Sequence, residues 1–67
     1  MPRTELLTDW QLRVIQERDQ LAERLRKLEA YLITQPAIYP RDLELLREQA
    51  EHMGRYLVVL GIRISHF

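Results

Sequence analysis

The chain has 67 residues, 46% of them hydrophobic and 30% charged, which makes one small domain at most and excludes a second. It has no cysteine, so neither a disulfide framework nor a thiolate zinc site can prop up so small a core, and association between copies is the remaining staple. Ten Lys plus Arg balance ten Asp plus Glu, and this neutrality argues against duplex DNA or RNA as a partner.

Met1-Pro2-Arg3 reads as no signal peptide, and the longest apolar run, Leu57 to Leu60, is far shorter than the roughly 20 residues that cross a bilayer. No membrane partner and a cytoplasmic location are therefore expected. Thr8 precedes Gln11 by three residues, a spacing at which hydroxyl and side-chain amide satisfy exposed backbone donors, and Asp9 adds favourable charge at the helix start. This predicts a first helix over about residues 9–34. Its apolar seam runs from Trp10 through Val14, Leu21, Leu25, Leu28 and Leu32, with Arg18 in the empty seat. Pro36 disfavours a helical conformation in the residue before it, so residues 35–40 are the predicted loop.

Pro40 suits the first turn of a second helix, where its missing N–H is no loss, and Asp42 and Glu44 complement the positive helix end. This second helix is predicted over about residues 41–65. Leu43, Leu46, Ala50, Met53, Leu57, Leu60 and Ile64 fall at alternating steps of three and four, an unbroken heptad seam. Two such seams joined by a short loop predict an all-α fold, an antiparallel helical hairpin that fills residues 1–67 as a single domain.

A second stripe on that helix, Leu45, Gln49, His52, Tyr56, Val59 and Arg63, is half apolar and stays in water in a lone hairpin. Leu57, Val58, Val59, Leu60, Ile62, Ile64 and Phe67 surround the carboxyl end on nearly every side, a pattern of burial all round that one partner helix does not supply. A homo-oligomer is the expected answer. The β-branched run Val58-Val59 with Ile62 and Ile64 also fits a strand, but the helical period holds through Ile64 and favours helix. Gly61 serves either a close approach between subunits or nothing beyond tolerance.

For catalysis the inventory is thin, because the hydroxyls of Thr4, Thr8, Thr34 and Ser65 have no evident base partner. His52 lies at helical spacing from Glu48, a weak metal signal that a solvent- or interface-facing histidine explains better, and His66 reads as tail. Phosphate-cradling glycine loops and metal-binding motifs are absent. The expectation is a protein that is not an enzyme, with no metal and no cofactor.

Nine of the ten cations are arginine, whose planar fork pairs bidentately with phosphate and stacks on flat rings. Arg24, Arg26 and Lys27 cluster within one turn, either as a solvated face laced by pairs such as Glu23–Lys27 or as part of an anion site. Trp10 is either the end of the core seam or a stacking platform for a base. These residues permit a small planar anion held by arginine and an aromatic between subunits.

Trp10-Gln11-Leu12-Arg13-Val14-Ile15, the leucine-spaced stretch Leu21 to Leu28, and Leu45-Leu46-Arg47-Glu48-Gln49 leading to Met53, Tyr56, Val59-Leu60 and Arg63-Ile64 carry a recognisable pattern. Over about residues 9–67 the chain resembles the phage anti-CBASS cyclic-oligonucleotide sponge family. The resemblance implies a compact helical protomer that assembles into a homohexamer. It further implies sequestration, without cleavage, of cyclic di- and trinucleotides such as 3′,3′-cGAMP in the cytoplasm of an infected bacterium, so that effectors of the host immune system receive no signal.

By the same resemblance, an aromatic near the amino end stacks on a base and a basic residue of the long helix contacts phosphate. Those positions fall on Trp10 and Arg24, with Lys27 and Arg13 beside them in the cyclic-dinucleotide site. A second pocket, for cyclic trinucleotides, uses an arginine near the chain end, which matches Arg63, with Arg26 lining it. Tryptophan stands where tyrosine or histidine is more usual, and arginine replaces lysine at position 24. Two other readings compete: a structural or adaptor hairpin whose second stripe docks on a protein, and a small DNA-binding regulator, which net neutrality and the absence of a glycine-containing turn disfavour.

Overall fold

The computed structural model describes residues 7–34 and 36–67; Met1-Pro2-Arg3, Thr4 and Gln35 lie outside the described residues. Helix α1 spans Asp9–Ile33 and α2 spans Pro40–Ser65. The capping box forms as its spacing dictates: the Thr8 hydroxyl accepts from the Gln11 backbone N–H at 3.4 Å, and the Gln11 side chain accepts from the Thr8 backbone N–H at 2.9 Å. At the other end Thr34 caps α1 and donates its hydroxyl to the Tyr31 carbonyl at 2.6 Å. Pro40 occupies the first turn of α2, one residue before the predicted start, with Tyr39 extended before it.

The two helices pack against each other as an antiparallel hairpin. Every α2 seam position from Leu43 to Ile64 is buried or half-buried, and so are Val14, Leu21, Leu25, Leu28 and Leu32 of α1. Val14 at 8% exposure and Leu60 at 0% are the buried residues among those described. Val14 lies one turn before Glu17 and Leu60 one turn after Tyr56, and a hydrogen bond joins Glu17 to Tyr56. The two core residues therefore stand level with each other, near the end of the hairpin that carries the chain termini.

Two expectations need correction. Trp10 is half exposed and stands beside the seam; its seat belongs to Gln11, which puts Gln11, Val14, Arg18 and Leu21 at unbroken steps of three and four. Glu23 pairs with Arg26 instead of Lys27, because the shorter reach of three residues suits the arginine fork. As expected, one partner helix does not bury the carboxyl end all round: Val58, Val59 and Ile62 stay more than half exposed. The run is helical, not a strand. A Cβ built on Gly61 meets nothing within 4 Å, so this glycine answers no crowding inside the hairpin.

The result is a rod, 48 × 18 × 14 Å with a radius of gyration of 15.4 Å, where a compact chain of this length has about 11 Å. It exposes 5625 Å², against about 4500 Å² for a compact monomer of this size. Two helices alone leave one side of each other uncovered. Among the described residues no helix is long and apolar enough to cross a membrane.

Candidate functional site

Trp10, Arg13, Glu17, Gln20, Arg24, Lys27 and Tyr31 follow one another along α1 at alternating steps of three and four, each one position before a seam residue, and all are exposed. They form one flank of the helix. In an antiparallel pair, positions offset in the same sense from the two seams lie on the same side, so this flank faces the side that carries the second stripe of α2. Leu45, Gln49, His52, Tyr56, Val59 and Arg63 of that stripe are likewise exposed. The Tyr56 phenol donates its O–H to the Glu17 carboxylate and ties the two rows together.

Trp10 sits in the first turn of α1, where the capping box fixes the chain. Its ring meets Phe67 edge to face, with centroids 5.3 Å apart and planes at 80°, which leaves half of the side chain exposed. Arg24 lies fourteen residues on, about 21 Å along the axis at 1.5 Å per residue. Both share the flank with Arg13 and Lys27, yet one protomer does not bring the indole and Arg24 together. Among the described residues Arg13, Arg24, Lys27 and Arg63 make no ion pair within the protomer, so their charge is available to an anion.

Arg26 differs. It stands on the solvent side of α1, where its Nε and terminal nitrogen donate to both oxygens of Glu23 at 3.0 and 2.6 Å. That fork holds the Glu23 carboxyl below its ordinary range and raises the Arg26 guanidinium above its own. Arg63, on the α2 stripe, lies near the terminal end of the hairpin and close enough to Tyr56 to act on its phenol electrostatically. Within one protomer Arg26 and Arg63 are therefore far apart.

The Glu17–Tyr56 bond is the feature of this side that sequence reading missed. Tyr56 was visible in the second stripe, but its partner requires the register between helices, which follows only once both seams and the loop length are aligned. The bond raises the Tyr56 phenol above its ordinary value, helped by desolvation and the Glu17 charge and opposed by Arg63. A raised tyrosine leaves stability intact below its unfolded value of about 10 and loses it as pH rises through the folded value. Thermal unfolding followed by circular dichroism between pH 8 and 11.5 is expected to show an alkaline loss that is smaller in Tyr56→Phe than in the unaltered chain.

The hairpin loop lines a separate open depression of about 600 Å³, formed by Ala37, Ile38, Tyr39, Pro40 and Asp42. It lies at the far end from Trp10, and its one charged group is acidic, which suits no anion. Among the described residues no group of three or more His, Asp or Glu is placed to hold a metal ion.

Comparison with known families gives a match to the model described as Sequestin over residues 8–66, nearly the whole chain. Neither the curated proteins nor the solved structures give a match.

Proposed function

The chain belongs to the Sequestin family, and from that name and the resemblance to the phage anti-CBASS sponges we propose that it binds cyclic di- and trinucleotides and holds them without cleavage. The observation that carries this is the family match over residues 8–66. The exposed flank supports it: an aromatic ring and three cations that make no ion pair among the described residues stand in one row on the long helix. In this reading Trp10 stacks on a base while Arg24, with Lys27 and Arg13, contacts the cyclic phosphates of a dinucleotide. Arg63 and Arg26 serve the trinucleotide.

The separation of Trp10 from Arg24 asks for a ligand gripped between copies, with the indole of one protomer and the arginine of another. We propose a homohexamer on that ground and on the excess exposed area, since Val58, Val59 and Ile62 offer an apolar surface for subunit contact. Symmetry then gathers arginines into locally basic pockets in a chain of zero net charge. No catalysis is required, and the site of action is the cytoplasm of the infected host.

Calorimetric titration with 3′,3′-cGAMP and with cyclic tri-adenylate, followed by heat release and chromatography of the ligand, tests this. Binding with recovery of intact ligand is expected. Absence of binding at high micromolar concentration would replace the sponge by an adaptor hairpin, for which the exposed α2 stripe is the docking face.

A further inference from the structure

Trp10 and Phe67 are the chain's only tryptophan and only phenylalanine, and they meet each other. Trp10 stands in the first turn of α1 and Phe67 just past the end of α2, so the contact joins the start of one helix to the end of the other. Both backbones are pinned. The capping box of Thr8 and Gln11 brackets Trp10, while the Phe67 N–H donates to the Ile64 carbonyl at 3.0 Å and the His66 N–H to the Arg63 carbonyl at 3.1 Å. Phe67 is half-buried, and Trp10 stays 50% exposed. In an edge-to-face pair one ring turns its edge to the face of the other, so Phe67 covers at most one of the two indole faces. An indole without that neighbour turns about two side-chain bonds, and a base that stacks on it must first order it.

We infer that Phe67 is a positioning residue for the cyclic-dinucleotide site: it holds the Trp10 indole in one orientation, so that a base stacks on a ring already ordered. This rests on the cyclic-nucleotide reading above and on the stacking role given there to Trp10. Phe67 touches no ligand atom in this account. Its part is specific to the ring. Phe67→Leu keeps apolar bulk against the indole but loses the flat quadrupole that favours the 80° arrangement, whereas Phe67→Tyr keeps it.

Because Trp10 is the sole tryptophan, the tryptophan fine structure of near-UV circular dichroism reports its ordering with no ligand present. That signal is measured for the full chain, Phe67→Leu and Phe67→Tyr, beside calorimetric titration with 3′,3′-cGAMP, far-UV helix content and sedimentation. Phe67→Leu is expected to lose most of the tryptophan signal and to weaken binding roughly 2- to 12-fold, the equivalent of ordering one side chain. Helix content and sedimentation should not change, and Phe67→Tyr should restore both signal and affinity. Unchanged affinity in Phe67→Leu overturns the inference. So does weaker binding with an unchanged tryptophan signal, or weaker binding that follows a loss of helix content or of assembly, since these mark a brace of the hairpin end. If the unaltered chain binds no 3′,3′-cGAMP, the sponge reading itself falls and takes the inference with it.

Discussion

Replacing Leu60 by alanine is expected to destabilise the hairpin by about 2–5 kcal/mol, the range for a large-to-small change at a well-packed site. Leu60 is 0% exposed and only Val14 approaches it in burial among the described residues, so few neighbours can collapse into the space that three lost carbons leave. Small domains have about 5–15 kcal/mol to lose at most, and a rod with so little core stands near the lower end. The loss therefore appears as partial unfolding at ordinary temperature, read as ellipticity at 222 nm against urea or heat. Ile33→Ala, at a position 80% exposed, is the matched control and should move the midpoint by no more than about 0.5 kcal/mol.

The second large effect falls on binding. Trp10→Ala is expected to weaken cyclic-dinucleotide affinity by roughly 5- to 150-fold, the equivalent of about 1–3 kcal/mol for a lost base stack. Helix content and the proposed oligomer should survive, because the indole is half exposed and its seam seat is held by Gln11. Trp10→Phe retains a ring and is expected to recover most of the affinity. An unchanged affinity in Trp10→Ala, measured by titration alongside sedimentation of the same sample, rejects the stacking role.

The seams were legible because each apolar residue states its own face: Leu43 through Ile64 keeps the helical period without a gap, and Thr8 with Gln11 and Pro40 mark the helix starts in local chemistry alone. Trp10 was misplaced for the same reason, since a large apolar side chain at the head of a stripe outweighs a glutamine when only hydrophobicity is counted. The Glu23–Arg26 fork lay within reach of local spacing, but i,i+3 and i,i+4 partners compete and side-chain geometry decides. Glu17 with Tyr56 belongs to another order of information. The two residues are 39 positions apart, and nothing in either neighbourhood announces the other until the helices are docked.

The short turn between α1 and α2 also keeps folding from being the step that sets the pace. Loop closure over so few residues is cheap and nearly all contacts are local, so the hairpin belongs among chains that fold within microseconds to milliseconds. Under the proposed assembly, the slow event is the meeting of finished hairpins along their exposed sides, whose rate rises with the square of their concentration while folding does not depend on it. Early in expression, dilution would then limit trapping capacity more than synthesis of the chain, and a modest rise in translation would shorten the lag out of proportion.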